Sequence, residues 1–346
     1  MEDVLGGRTD RARFDDFLTH WESILARRVT EAVEACAQVP GVYGLLLAGS
    51  VGRGEPWPLS DIDLLPIYDD GQVEEAQAEI ERRRVELLGR WVTEGWWTGL
   101  DIGRLMFSRD ELMRVLGASG PDITTVLQDD RWYYSLDKGY RGRAVYDPTG
   151  LADALAHWLT ERRFSRAAVR FRLARARQEV EASSRRLHAS IERQDSQEAT
   201  KDLRSAVKWL QTWQLERWGE RDTSLGRVGT RFEVLALDRD QPELVKALRV
   251  LSDLEDLAVQ HRMAAAPDWV WDRHDRSWRA RRSVGEPVTH LQDARDTLRV
   301  CSLYEMRRVL ARPFPSWLAI RPKTEALTEQ ATQLAALMAQ CLAGSP

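Results

Sequence analysis

Two apolar runs separated by a polar loop form the clearest pattern in the chain. The first run covers residues 42–48 and leads into Gly49 and Ser50, and the second extends from Ile62 to Tyr68. Short apolar runs bounded by glycine, proline and polar residues are typical of buried β-strands. The pattern therefore predicts two successive strands joined by a loop that contains glycine and proline.

Helices and strands alternate in the surrounding residues. Apolar residues recur at helical spacing in residues 14–25, a charged helix is predicted for residues 73–92, and a third strand for residues 97–107. Ser108 followed by Glu111 has the spacing of a capping box, which predicts a further short helix. This alternation is typical of an α/β domain with a small mixed sheet.

The chain changes character after the sequence Asp-Pro-Thr-Gly at residues 147–150, which is a boundary signal. Beyond it, apolar residues follow helical spacing and alternating β-branched runs are scarce. The predicted helices cover residues 165–193, 198–218, 242–263, 288–312 and 324–342. We therefore predict an α+β protein, with an N-terminal α/β domain of residues 1–150 and an all-α helical bundle of residues 151–346.

One charged segment of the second domain is rich in tryptophan. Residues 268–278 contain Trp269, Trp271 and Trp278 among acidic and basic side chains. Aromatic and acidic side chains together can line a pocket for a sugar or an aminocyclitol. The alternative is a loop that its aromatic rings hold against the helical bundle.

The composition is that of a globular protein. The 346 residues are 43% hydrophobic and 30% charged, which favours two domains. No apolar stretch approaches the roughly 20 residues of a membrane-spanning helix, and the first residues lack the pattern of a signal peptide. The three cysteines lack metal-binding spacing. We therefore expect a cytoplasmic protein with reduced thiols and no membrane partner; its oligomeric state stays open.

Net charge differs between the two predicted domains. Residues 1–150 carry 17 Lys and Arg against 27 Asp and Glu, whereas the remaining residues carry 33 against 27. Solvated helix faces would explain this difference. The alternative is that the second domain helps to hold an anionic group, such as a nucleoside triphosphate or a phosphorylated acceptor. The chain is not basic enough overall to indicate a nucleic-acid-binding protein.

Asp61 and Asp63 stand at alternating positions where the second apolar run begins. Alternate residues of a strand face the same side, so the two carboxylates project together. They repel each other unless a cation lies between them, and a hard divalent ion prefers oxygen ligands. Gly49 and Ser50 offer backbone N–H groups to an anion. Together these features indicate a metal-bound phosphate chain.

Residues 49–63 resemble the active-site motif of the nucleotidyltransferase superfamily of DNA polymerase β. That motif has an apolar strand, Gly-Ser or Gly-Gly, a spacer, and Asp-x-Asp in a second apolar strand; here residues 51–60 are the spacer. The details are most similar to the bacterial antibiotic and minimal nucleotidyltransferases. A helix cap or an ordinary turn would account for either half alone, but not for both halves in this order.

The resemblance implies two Mg²⁺ ions, with Asp61 and Asp63 as catalytic residues and metal ligands. A third acid is expected from a neighbouring strand. Asp101 is our choice for this catalytic and metal-binding role, because an unpaired acid in an apolar strand would be costly. Asp101 would also accept the proton of the acceptor hydroxyl. The alternatives are an Asp101 that pairs with Arg104 or caps an irregular turn beside Gly99 or Gly103, and a glutamate of the helical domain as the base.

The same resemblance assigns nucleotide binding to Gly49, Ser50, Arg53 and Ser60. Ser50 would hold the terminal phosphates through its N–H and its hydroxyl, and Ser60 stands directly before the acidic strand. Arg53 could bind phosphate oxygens through two N–H groups. The alternative for Arg53 is an ordinary loop arginine that extends into solvent.

The resemblance implies an enzyme that transfers a nucleoside monophosphate, here expected to be AMP from ATP, to a hydroxyl and releases pyrophosphate. The acceptor would be a small molecule such as an antibiotic, a sugar or a metabolite, bound by the helical domain. Two alternatives stay open. One is nucleotidylation of a protein or a tRNA, as in toxin–antitoxin nucleotidyltransferases, and the other is a non-catalytic nucleotide-sensing module.

Overall fold

The computed structural model describes residues 11–95, 98–117, 120–221, 224, 226–308, 315–318 and 324–343. The chain divides into two compact units, Met1–Phe171 and Arg172–Pro346. The first unit contains a small mixed sheet and the second is helical, so the α+β fold class with a helical C-terminal region is confirmed.

The described residues of the first unit form a five-stranded sheet with helices on both faces. The order of the strands in the sheet is β3-β2-β1-β5, and β4 also pairs with β2. Strand β1 is antiparallel to β2 and β5, whereas β3 and β4 run parallel to β2. The elements are α1 (Arg11–Ala37), β1 (Val42–Ala48), α2 (Gly49–Gly52), β2 (Ile62–Tyr68), α3 (Val73–Thr93), β3 (Leu100–Ile102), β4 (Phe107–Ser108), α4 (Arg109–Leu116), α5 (Ile123–Val126), α6 (Asp130–Lys138), β5 (Arg143–Tyr146) and α7 (Leu151–Arg163).

The division between the units falls later in the chain than the boundary predicted at residue 150. Helix α7 follows that boundary, yet it packs against β1, β5 and α6 of the first unit. Its buried residues Leu155 and Leu159 belong to the same apolar core as the sheet residues Leu46 and Ile67. The first compact unit therefore includes α7 and extends to Phe171.

Alternation along the strands gives the sheet two apolar faces. In β1, Leu45 and Leu47 pack with side chains of α1 and α3, whereas Leu46 and Ala48 pack with those of α4, α6 and α7. Successive residues of a strand point to opposite faces, and register partners point to the same face. Asp63 is the register partner of Ala48. It therefore lies on the face that α6 covers.

The third predicted strand, residues 97–107, is two short strands in the structure. β3 pairs with the start of β2 and β4 with its end, and Gly103 between them has a φ of +89°. Pro66 of β2 lies opposite this gap, and a proline has no N–H with which to bind a neighbouring strand. The prediction of one continuous strand is therefore wrong, and residue 97 lies outside the described residues.

Two local predictions in this unit are confirmed. The charged helix expected at residues 73–92 is α3, which spans Val73–Thr93. The short helix expected after Ser108 is α4, and the Oγ of its N-cap Ser108 accepts a hydrogen bond from the N–H of Glu111 at 3.3 Å. Such a cap stabilises a helix by about 1 kcal/mol, because it satisfies a donor that the helix itself leaves free. The carboxylate of Glu111, which a capping box would direct to the N–H of Ser108, instead accepts hydrogen bonds from Arg131 and Trp132.

The elements described in the second unit are all helical. Helix α8 (Arg166–Glu192) begins in the first unit and continues into the second. The others are α9 (Ser196–Arg217), α10 (Val228–Leu237), α11 (Pro242–Leu251), α12 (Asp256–Ala264), α13 (Asp268–Ser283), α14 (His290–Arg308) and α15 (Thr324–Leu342). The predicted helix at residues 324–342 is confirmed, and the predicted end of the helix at 288–312 lies outside the described residues.

Two expectations for this unit are wrong. Residues 242–263 form two helices, α11 and α12, because the chain turns between them and Asp253 has a φ of +46°. The tryptophan-rich segment lies in helix α13 and is not a loop. Within α13, Trp269 and Trp271 are exposed, whereas Trp278 stacks on His290 with 3.8 Å between the ring centroids.

Cys36 and Cys301 are buried, Cys341 is partly exposed, and all three are free. Burial raises the pKa of Cys36 and of Cys301 to about 11, so both stay protonated near neutral pH. No helix within the described ranges is long and apolar enough to span a bilayer.

Candidate active site

Gly49 and Asp63 bring the two halves of the motif into contact. Strand β1 ends at Ala48, the register partner of Asp63. Gly49 follows with a φ of +64°, and a Cβ atom added there would lie 1.7 Å from Asp63 Oδ2. Any other residue would strain the backbone and displace the carboxylate. The glycine thus allows Asp63 to lie against the turn that follows β1.

We expect Gly49→Ala to destabilise the protein more than Gly54→Ala. Gly54 also has a positive φ of +75°, but a Cβ added there meets no atom within 4 Å. Its substitution costs only the backbone strain, about 1–2 kcal/mol. Gly49→Ala adds the overlap with Asp63, worth roughly a further 1–3 kcal/mol. Urea denaturation of both variants measures the difference, and equal losses of stability would contradict the close approach of Gly49 to Asp63.

Asp63 and Asp101 are register partners on the adjacent parallel strands β2 and β3. Their side chains therefore leave the sheet on the same face. Asp63 is buried with 4% of its surface exposed, whereas Asp101 is partly exposed and Asp61, immediately before β2, is exposed. The structure places Asp101 beside Asp63, where a third acid was expected. The metal-binding role of the three residues stays a prediction.

Lys138 lies between these two carboxylates, and sequence reasoning missed it. Its Nζ is 2.6 Å from Asp63 Oδ1 and 2.8 Å from Asp101 Oδ2. Lys138 is the last residue of α6, whose Trp132 and Leu136 are buried in the core beneath the sheet. The packing of those two side chains fixes the helix so that its C-terminal lysine reaches the acidic face.

One ammonium group only partly balances the charge around Asp63. Burial raises the pKa of Asp63 to about 7, and the negative charges of Asp61 and Asp101 also raise it. The positive charge of Lys138 lowers the same pKa. Burial lowers the pKa of Lys138, but the three carboxylates outweigh this effect and raise it above its usual value. Among the described residues, Lys138 interacts with all three carboxylates and Arg84 with Asp101, so the acids still outnumber these two cations, a balance that favours a further positive charge.

The donor chemistry fits a hard divalent ion, although the side chains do not form a closed metal site. Among the described residues, no group of three or more His, Cys, Asp or Glu side chains stands close enough to hold a metal ion. Asp63 Oδ1 is buried and has no hydrogen bond of good geometry there, although the Lys138 ammonium is close. Carboxylate oxygens are the ligands that Mg²⁺ prefers. Asp61, Asp63 and Asp101 would hold a metal ion only after Lys138 moves aside.

Ser50 and Ser60 meet across the loop that joins the two strands. Ser50 Oγ lies 2.9 Å from Ser60 Oγ, and Ser60 Oγ accepts a hydrogen bond from the N–H of Trp57 at 3.0 Å. Ser60 is buried and directly precedes Asp61. Two of the predicted nucleotide-binding residues thus form one cluster beside the acidic strand. Their contact with phosphate stays a prediction.

Arg53 is held within the protein and does not extend into solvent. Only 8% of its side chain is exposed, and its Nε donates to Glu55 Oε2 at 3.3 Å. Arg141 Nη1 lies 3.5 Å from Oε1 of the same glutamate. Two guanidinium groups therefore share the carboxylate of Glu55, so that Arg53, Glu55 and Arg141 together carry one net positive charge. Such charge suits an anionic ligand.

One protein-family model matches the N-terminal part of the chain. The model of a family described as "Putative nucleotidyltransferase DUF294" matches residues 1–93, which include Gly49, Ser50, Asp61 and Asp63. This similarity supports a nucleotidyltransferase-like N-terminal region at a coarse level. The matched segment ends before Asp101 and Lys138, so it does not bear on either residue. No curated protein matches the chain.

Proposed function

We propose that the protein is a Mg²⁺-dependent nucleotidyltransferase that transfers a nucleoside monophosphate from an NTP to a hydroxyl group. ATP is the expected donor, and an antibiotic, a sugar or a metabolite is the expected acceptor. The pairing of Asp63 with Asp101 on one face, with Gly49 against Asp63, carries the proposal. The match of residues 1–93 to a nucleotidyltransferase family supports it.

The acidic residues have distinct parts in the proposed reaction. Asp61, Asp63 and Asp101 would hold Mg²⁺, which neutralises triphosphate charge and lowers the pKa of the acceptor hydroxyl. Asp101, which is more exposed than Asp63, would accept the hydroxyl proton. The hydroxyl oxygen forms a bond to the α-phosphorus, the bond from that phosphorus to the β-phosphate oxygen breaks, and pyrophosphate leaves with the electron pair.

The loop between the strands would bind the triphosphate. The hydroxyls of Ser50 and Ser60 stand beside the acidic strand and can donate to phosphate oxygens. Arg53 lies in the same loop. Arg53 and Arg141 together carry two positive charges, whereas Glu55, which both of them contact, carries one negative charge. Each charge-assisted hydrogen bond would contribute about 1.5–3 kcal/mol to NTP binding. The helical unit is proposed to bind the acceptor.

A screen for the labelled product tests this function. The full chain would be incubated with Mg²⁺ and α-³²P-labelled NTPs, together with small hydroxyl compounds, RNA or cell-extract protein. We expect label on a small molecule with the wild type and no label with Asp63→Asn. Label on protein or RNA would support the second acceptor class. Absence of label in every arm would overturn the proposal of transfer.

A non-catalytic nucleotide-binding module is the second candidate function, because Lys138 stands between Asp63 and Asp101. A lysine that never leaves this position would offset part of the charge of the two carboxylates without a metal ion. In the enzyme, by contrast, the lysine would compete with the metal ion and move when the ion binds. The two candidates therefore differ in what happens when the lysine charge is removed.

We expect Lys138→Met to raise the affinity of the protein for Mn²⁺ about tenfold or more, because a competing cation is lost. The same change should lower the Tm of the protein in EDTA, because Asp63 and Asp101 lose their counter-ion. Electron paramagnetic resonance titration and thermal unfolding provide the two measurements. Arg141→Met is the control, because Arg141 pairs with Glu55. Undetectable Mn²⁺ binding in both wild type and Lys138→Met would favour the non-catalytic module.

A further inference from the structure

Two histidines of the helical unit lie side by side where α13 packs against the start of α14. His274 belongs to α13, and His290 is the first residue of α14. Their ring centroids are 5.7 Å apart, and their ring planes are inclined by 61°. Imidazole nitrogens are ligands that Zn²⁺, Cu²⁺ and Ni²⁺ accept readily, so the surroundings of each ring decide whether the pair can bind such an ion.

The hydrogen bond of His274 determines which of its ring nitrogens is available. Nδ1 lies 2.9 Å from Oδ2 of Asp293. A carboxylate accepts hydrogen bonds, so Nδ1 carries the proton, and Nε2 of the neutral ring keeps its lone pair. Within the described part of the chain, Nε2 has no hydrogen-bond partner, and it is not sealed from solvent. This nitrogen can therefore bind an ion.

Asp293 is held firmly enough to orient the ring of His274. It is fully buried, and it also accepts hydrogen bonds from Ser277 Oγ at 2.7 Å and from Arg281 Nη1 at 3.1 Å. Metal-bound histidines almost always donate their other ring N–H to a carboxylate, a carbonyl or a water, which orients the ring and makes it a stronger ligand. The contact between His274 and Asp293 has this form.

The charges behind His274 are balanced without it. Acids and arginines form one network of ion pairs there, with three members of each sign: Glu286, Asp293 and Asp296, with Arg227, Arg281 and Arg299. Buried charges are costly unless they are paired, and these six already pair with one another. The network therefore does not require the positive charge of a protonated His274, whose Nε2 can be given to a metal ion.

His290 is exposed, yet its ring is fixed in place. The imidazole stacks on Trp278 with 3.8 Å between the centroids and 17° between the planes. Trp278 lies one turn after His274 on α13, so the same helix positions both histidines. An exposed side chain that stacking already holds has less conformational entropy to lose when it binds an ion.

The separation of the two rings suits one shared ion. Two imidazoles that bind Zn²⁺ through nitrogen at about 2.0–2.1 Å, in a tetrahedral arrangement, have ring centres roughly 5 Å apart. The centroids of His274 and His290 are 5.7 Å apart, a difference that a small rotation of the exposed ring removes. Two protein ligands would leave the remaining positions of the ion to water, as in zinc sites that keep an open position.

We infer that His274 and His290 bind one divalent transition-metal ion of the kind that prefers imidazole, such as Zn²⁺. Its nitrogen ligands distinguish this site from the proposed Mg²⁺ site, where carboxylate oxygens are the donors. The inference goes beyond the proposed transfer reaction and does not depend on it, because both histidines belong to the helical unit.

Calorimetric titration of the full chain with Zn²⁺, in an excess of Mg²⁺ that competes for oxygen-donor sites, tests the inference. We expect one Zn²⁺ ion to bind at the histidine pair, and its affinity to fall at least tenfold in His274→Gln and in His290→Gln. His188→Gln is the matched control, because His188 is an exposed histidine of the same unit whose Nδ1 lies 2.8 Å from the carbonyl oxygen of Ser184. We expect this control to bind Zn²⁺ as the wild type does.

Electron paramagnetic resonance of bound Cu²⁺ identifies the ligands directly. With one equivalent of Cu²⁺ and the same excess of Mg²⁺, we expect coupling to two imidazole nitrogens in the wild type and to fewer in His290→Gln. His290 is exposed, so this variant remains informative if His274→Gln does not fold. Equal Zn²⁺ affinity in the wild type and His290→Gln, equal losses in all three variants, or a Cu²⁺ spectrum that His290→Gln leaves unchanged would overturn the inference.

Discussion

Replacing Asp63 with asparagine is expected to abolish nucleotidyl transfer and to leave the protein folded. Asp63 is the buried member of the acidic pair, and asparagine has nearly its shape but no charge to offer a metal ion. We expect kcat to fall at least about a thousandfold, or about 4 kcal/mol of transition-state stabilisation. Folding should survive because burial raises the pKa of Asp63, so its charge is costly in the metal-free protein.

An exposed acid outside the site provides the control for this substitution. Asp110 lies in the first turn of α4, where it pairs with Arg109. Asp110→Asn removes the same charge and should keep its turnover, measured with the acceptor found in the labelling screen. Circular dichroism confirms that both variants are folded. Near wild-type turnover of Asp63→Asn with Mg²⁺ would contradict the assignment of Asp63 as a metal ligand.

Asp101→Asn is expected to slow the chemical step far more than it weakens NTP binding. Asp61 and Asp63 would still hold a metal ion with the triphosphate, whereas the acceptor of the hydroxyl proton would be lost. We expect the single-turnover rate to fall about a hundredfold or more, the range of general-base catalysis. Rapid-quench measurement of the rate, beside calorimetric measurement of the Kd for NTP, separates the two effects. A wild-type single-turnover rate would place the third carboxylate elsewhere, for example on a glutamate of the helical unit.

The acidic strand and the turn before it were predictable because both are local patterns. The alternation of Asp61 and Asp63 with apolar residues, and the glycine after the first strand, can be read within fifteen residues. Asp101 could be proposed for a similar reason, since an acid in an apolar strand needs a partner. The contact between Gly49 and Asp63 follows from the antiparallel register of β1 and β2, which the sequence does not state.

Lys138 could not be predicted because its position depends on tertiary packing. It ends a short helix with no motif around it, and only the burial of Trp132 and Leu136 orients that helix toward the acidic face. Pro66 is a local signal for the break between β3 and β4. Its effect on these strands could not be predicted, because the effect depends on which strand pairs with β2. The helix α13 was not predicted, because it contains more charged residues than buried ones.

The proposed metal–nucleotide site of Asp61, Asp63 and Asp101 can be tested without knowing the acceptor. The measurement is calorimetric titration of ATP into the full chain, with Mg²⁺ or with EDTA, for the wild type, Asp63→Asn and Asp110→Asn. We expect ATP binding that requires Mg²⁺, is lost in Asp63→Asn and is retained in Asp110→Asn. ATP binding of equal strength in EDTA, or in Asp63→Asn, would contradict a metal–nucleotide site at these residues.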